Sequence, residues 1–172
     1  AADVIRQLRS LGLTKLVMMT GDSDRTARTI AAKVGVDEYY SEVLPEDKAS
    51  FVEKEKAQGR NVIIIGDGIN DSPALSAADV GIAVSDGAEI AREIADITIG
   101  ADDLSEIVTL KEISNALMKR IHGNYCKIVG INSGLIALGV LGLIQPTTSA
   151  LLHNTSTLVI SLGSMKNLVE EK

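Results

Sequence analysis

Aromatic residues are scarce, with no Trp, one Phe and three Tyr among 172 residues. Bases therefore find few ring faces to stack on. The basic residues are scattered through a chain of net charge −6, so nucleic acid is excluded as a partner. Cysteine is almost absent too. The single Cys126 rules out a disulfide scaffold and a Cys-x-x-Cys metal site within the chain. The opening residues AADVIRQLRSLG lack a positive segment leading into an apolar core. They read as a helix entered in mid-protein rather than a signal peptide. Internal repeats and low-complexity segments are missing as well.

What is present divides unevenly. Acidic residues concentrate before Glu112, and the last third is apolar, with Lys127 the one charged side chain from Cys126 to Ile144. A run of that length sits at the lower limit for a spanning helix. A second stretch, Thr147 to Met165, carries His153 but no acid, Lys or Arg, and is rich in Ser and Thr. The composition predicts an α/β part followed by a transmembrane helical hairpin. Lys119, Arg120 and Lys127 before the hairpin and Lys166 after it place both its ends in the cytoplasm.

Hydrophobic spacing orders the first part. Val4, Ile5, Leu8 and Leu11 predict a helix over 2–11, and Leu16–Met19 a short buried strand. A helix over 25–34 follows, with Asp22 or Ser23 as N-cap and Gly35 as its end. Tyr39–Val43 predicts a strand, and Pro45 opens a helix with acids in its first turn. The strand Asn61–Ile65, a short helix from Ser72, strand Val80–Val84, helix Gly87–Ala95 and strand Ile97–Ile99 complete the series. From Leu104 the spacing is helical into the apolar region. Alternating strands and helices predict a parallel sheet with helices on both faces.

Three stretches carry chemistry. Thr20-Gly21-Asp22 leaves a strand for a helix start and offers a hydroxyl and free N–H groups to an anion. Alone it is an ordinary capped turn. Lys48 stands in the first turn of a helix, against the macrodipole, where one reason for a cation is to reach a phosphoryl group. Gly66-Asp67-Gly68-Ile69-Asn70-Asp71 follows a fully apolar strand. Two carboxylates and an amide there are costly to desolvate unless a cation offsets them, and their oxygens suit Mg²⁺. Asp47 precedes Lys48, but Ala49 and Ser50 follow inside a helix, so it is not read as a nucleophile.

The order TGDSDRTA at Thr20–Ala27, PEDK at Pro45–Lys48 and GDGINDSPALSAADVGIAV at Gly66–Val84 resembles the phosphorylation domain of P-type ATPases, within the haloacid dehalogenase superfamily. The resemblance runs through the whole chain. It implies that Thr20 and Gly21 contact the phosphoryl group, with Asp22 in the same catalytic loop, and that Lys48 neutralises its charge. Asp67 and Asp71 would bind Mg²⁺, and Asn70 and Asp71 would support the phosphate and metal shell. It also implies what is missing. No Asp-Lys-Thr-Gly-Thr occurs, so the phosphorylated Asp, the central strand that carries it and the domain that binds ATP would belong to an upstream half. The sheet is expected to be incomplete, with unpaired edges.

On this resemblance residues 1–103 are a partial phosphorylation domain, 104–123 a helical stalk, and 124–172 two transmembrane helices with a short tail. Only two apolar segments after the domain resemble the heavy-metal branch. Asn132, His153 and Asn154 would line the path of the transported ion, His153 foremost because neutral imidazole binds divalent transition metals well. Asn132 and Asn154 stand near where zinc and cadmium exporters of this kind carry a lysine and an acid. HNTST at His153–Thr157 does not match the Met and Ser pairs of copper exporters. The expected cargo is therefore Mn²⁺, Zn²⁺, Co²⁺ or Cd²⁺ rather than Cu⁺, moved across a cell membrane with the α/β domain on the cytoplasmic side. The alternatives are a soluble phosphatase of the same superfamily, or a non-catalytic piece that binds Mg²⁺ or phosphate or docks onto a full pump.

Overall fold

The computed structural model describes residues 2–66, 69–84, 93–100 and 104–168. The chain divides into two compact units, Ala1–Thr109 and Leu110–Lys172. The first contains α1 (Ala2–Ser10), β1 (Val17–Met19), α2 (Asp24–Val34), β2 (Glu38–Tyr40), α3 (Pro45–Ala57) and β3 (Ile63–Gly66). A 3₁₀ turn at Ile69–Asp71, α4 (Ser72–Ala77), β4 (Val80–Val84) and β5 (Ile97–Ile99) follow. The long α5 (Ser105–Val140) begins in this unit and continues into the second, which adds α6 (Pro146–Ser164). Most of the helix expected over 87–95 lies outside the described residues.

All strand pairs are parallel, as alternating strands and helices require. The sheet is in two pieces, however: β1 pairs with β2, and β3, β4 and β5 form a separate three-stranded ladder. No ladder joins β1 to β3 among the described residues, so each presents an open edge. Helix α4 covers one face of the larger ladder through Leu75, packed with Ala83 and Ile64. On the other face of β3, Ile63 and Ile65 remain 42% and 43% exposed. The core of the unit is small, centred on Val52, Leu75 and Ile82.

One device recurs at the strand entrances. An aspartate just before β2, β4 and β5 accepts a backbone N–H at or just before the start of the neighbouring strand. Asp37 accepts from Leu16 N at 2.7 Å, Asp79 from Val62 N at 2.8 Å and Asp96 from Gly81 N at 2.8 Å. These bonds satisfy donors that the ladder itself leaves unpaired. A second tie joins β1 and β2 to α3. Lys15 bridges Glu38 and Glu55 at 3.1 Å each, Glu55 also meets Arg60, and Tyr40 donates to Glu38.

In the second unit α5 stops at Val140 because Gly142 takes φ +70°. Leu143 N then donates to Leu138 O and Gly142 N to Gly139 O, the Schellman arrangement that closes a helix. Pro146, pre-set for a first helical position, starts α6. Across the hairpin Asn124 donates to Ser164 Oγ at 2.6 Å. Arg120 caps the end of α6 by donating to the carbonyls of Ser164, Lys166 and Asn167.

The expected hairpin is present as two helices joined by a turn, but its membrane-spanning character is not shown. Among the described residues no helix is long and apolar enough to cross a membrane. The turn removes Leu141–Ile144 from α5, whose remaining apolar half is interrupted by Asn124, Lys127 and Asn132. Helix α6 is diluted by hydroxyls, His153 and Asn154. Its apolar side chains are nonetheless uncovered: it has no buried residue.

Candidate functional site

The apolar strand β3 delivers Gly66 to the start of the carboxylate loop. Asp67 and Gly68 lie outside the described residues. The chain resumes in the 3₁₀ turn, and Asp71 folds back over Gly66. A Cβ added at Gly66 would meet Asp71 Cβ at 2.6 Å and Oδ2 at 2.8 Å, so only glycine leaves room for the carboxylate there. Into the same place reaches Lys48, whose Nζ donates to Asp71 Oδ1 at 2.7 Å. The side chains are 17% and 15% exposed. This explains a lysine at the positive end of α3: it answers a carboxylate 23 residues along the chain. Ser72, the next residue, has a buried hydroxyl with no hydrogen-bond partner among the described residues. Asn70 is exposed.

The Thr20 loop is built differently. Thr20 N–H donates to Tyr40 O, Val43 N–H donates to Thr20 O, and Glu42 N–H donates to Asp22 O. These three bonds fasten the loop to the end of β2 and the residues after it, where Glu42 takes φ +54°. Thr20 Oγ1 donates to Asp22 Oδ2 at 3.0 Å and accepts from Asp22 N at 3.1 Å. Ser23 is the N-cap of α2, and its side chain makes no capping bond. Gly21 needs neither a positive φ nor open space around it for the fold, since an added Cβ would meet nothing within 4 Å. Among the described residues no hydrogen bond or ion pair joins this loop to Lys48 and Asp71.

In the helical unit the structure pairs two of the three residues expected on the ion path. Asn132 Oδ1 lies 2.8 Å from His153 Nδ1. His153 O also accepts from the hydroxyls of Ser156 and Thr157. Asn154 does not join them, because one residue along a helix turns the side chain by about 100°. Among the described residues no three His, Cys, Asp or Glu side chains cluster to hold a metal. One hard oxygen ligand of the type Mg²⁺ takes, the Asp71 carboxylate, lies beside Gly66.

Sequence reasoning missed the partners outside these motifs. The aspartates 37 and 79 are held below the ordinary carboxylate range, Asp37 first by Arg9 and then by the Leu16 N–H. For Asp79 the Val62 N–H comes first and Lys56 second. Glu55 is lowered first by Arg60 and then by Lys15. Lys15 is raised, mainly by Glu38 and then Glu55. An Asp placed one residue before each short strand was the available signal for the first two. Nothing local marks Glu55.

Residues 1–79 match the haloacid dehalogenase-like hydrolase family. The likeness extends further along the chain to metal-exporting P-type ATPases, to which it is homologous. It is 36% identical over 167 residues to the manganese-exporting P-type ATPase of Mycobacterium leprae, covering 96% of this chain and 23% of that protein. It is 42% identical over 146 residues to the copper-exporting P-type ATPase of Staphylococcus aureus, covering 85% and 18%. The crystal structure of a zinc-transporting PIB-type ATPase superposes with a TM-score of 0.84 at 32% identity, over 98% of this chain and 27% of that one. The chain thus spans about a quarter or less of the length of these relatives.

Proposed function

We propose that the chain supplies the phosphate- and Mg²⁺-binding half of the aspartyl-phosphate site of a metal-exporting P-type ATPase, together with part of its membrane path for the ion. The observation that carries this reading is the Lys48–Asp71 pair, seated against Gly66 at the end of an apolar parallel strand. Two motifs separate in sequence, the Lys48 turn and the Gly66–Asp71 loop, meet there, which supports a shared ligand. Lys48 would neutralise the phosphoryl group, and Asp67 and Asp71 would hold Mg²⁺. The bound ion would offset charge on the oxygens of the group in transfer. Thr20 and the backbone at Gly21 would steady that group, with Asp22 orienting the Thr20 hydroxyl and Asn70 supporting the shell.

The nucleophilic Asp and the ATP-binding domain would come from the upstream half of the pump, whose strand would fill the gap between β1 and β3. The hairpin would lie in the cell membrane among the pump's other helices, the α/β unit in the cytoplasm. Uncovered apolar side chains such as Ile136, Val140 and Leu151, each at least 66% exposed, support that placement. The cargo would be a divalent transition-metal ion, with Asn132 and His153 as its nearest ligands here.

The test is to incubate the chain with γ-labelled ATP and a divalent metal, with and without the upstream half supplied separately. Label on the upstream half, formed faster when this chain is present, is the expected result. Label on this chain alone would overturn the reading.

A further inference from the structure

Helix α5 carries a second set of metal-type donors, away from the Asn132–His153 pair. His122 and Cys126 stand four residues apart, so they share a face of the helix. Both are exposed, and Cys126 Sγ lies 3.6 Å from His122 Nε2. A tetrahedral zinc ion, bonded at about 2.3 Å to sulfur and about 2.05 Å to nitrogen, holds these two atoms about 3.6 Å apart. The donors are therefore already at the separation that one shared ion requires. Met118 adds a thioether one turn earlier on the same face, its side chain open to solvent. Three soft or borderline donors in the pattern Met-x-x-x-His-x-x-x-Cys thus fall on a single stripe of a chain with one Cys and two His.

The stripe does not serve the hairpin. Arg120 and Asn124 point to the end of α6, and His122 and Cys126 are each two residues, about 200°, round the helix from them. Cys126 is six residues from Asn132, about 9 Å of helix rise, so one ion cannot occupy both places.

We infer that His122 and Cys126, with Met118 beside them, form an open binding site for a soft or borderline transition-metal ion such as Zn²⁺ or Co²⁺. On binding, the S–H bond of Cys126 breaks and its proton passes to solvent while sulfur bonds the metal. His122 gives the Nε2 lone pair and keeps its ring proton on Nδ1. Water completes the coordination, so the ion stays exchangeable. Thiolate, imidazole and thioether discriminate against Mg²⁺ and Ca²⁺, which take oxygen ligands. Use of the site to load the membrane path would rest on the export reading; binding itself does not.

The experiment is a titration of the reduced 172-residue chain with Co²⁺, read by the thiolate-to-cobalt charge-transfer band and reversed by Zn²⁺. The band should appear at one ion per chain, vanish in Cys126→Ser, and require at least about tenfold more Co²⁺ in His122→Ala. His153→Ala should leave it unchanged. No band in the unmodified chain, an equal band in His122→Ala, or loss of the band in His153→Ala would each overturn the inference. Circular dichroism of each variant separates loss of binding from loss of fold. Failure of the export reading would show instead in the label-transfer experiment, with the cobalt band intact.

Discussion

An alanine at Gly66 would press its methyl carbon to 2.6 Å from Asp71 Cβ, where neither strand nor turn can yield freely. Gly66→Ala should therefore cost about 1–3 kcal/mol of stability through overpacking, measured by urea denaturation. It should also displace Asp71 from Lys48. Gly21 is the opposite case, because its added Cβ would meet nothing within 4 Å. Gly21→Ala should leave stability unchanged or raise it by up to about 1 kcal/mol. On the proposed reading the same change should slow phosphoryl turnover of the assembled pump by about tenfold or more, since a methyl group would stand where the phosphate would approach the backbone. A loss of stability in Gly21→Ala, or normal turnover, would remove Gly21 from the site.

At the scale of elements, the short parallel strands are secured at their entrances by carboxylates. Asp37, Asp79 and Glu55 all have folded-state pKa values below their ordinary ones. A depressed carboxylate contributes stability above its unfolded pKa and loses it as pH falls through the folded one. The unit should thus hold its stability at neutral pH and lose it progressively below about pH 4. Lys15 has the opposite sign: its pKa is raised, so its contribution is present at neutral pH and fades only in alkali. Denaturant midpoints measured against pH should show the acid limb, and Glu55→Gln should flatten it. Asp96→Ala, which removes the bond to Gly81 N, should cost about 1 kcal/mol. An unchanged midpoint would show that water replaces that bond without loss.

For the whole molecule the two units pose different demands. The α/β unit has parallel strands with open edges, and the helical unit has a hairpin without a buried residue in α6. Each needs a partner of its own kind, a strand for the first and apolar surroundings for the second. In a flotation assay the full chain should rise with liposomes, and residues 1–109 should stay in the aqueous fraction. Recovery of the full chain in the aqueous fraction would argue against membrane placement of the hairpin. On the proposed reading, His153→Ala in the assembled pump should abolish or shift metal stimulation of ATP hydrolysis while leaving phosphorylation by inorganic phosphate in place. Unchanged metal stimulation would reduce the His153–Asn132 bond to helix packing.

The sequence by itself determined the order and type of the elements, because strand and helix periods are local properties of neighbouring side chains. β4 and β5 begin and end at the residues their apolar runs mark, and α2 closes at Gly35 in the left-handed conformation. Glycine spacing and the isolated Lys48 also marked the candidate site. What only the tertiary structure decided were pairings between distant residues: Lys48 with Asp71, Glu55 with Lys15, Asn132 with His153. An incomplete sheet was expected; the structure also decided that its break falls between β1 and β3, and that the apolar run after Cys126 ends its helix at Val140. The first depends on what pairs across space, the second on the left-handed turn at Gly142. A run of apolar residues states that burial is favourable, and it does not state which surface provides it.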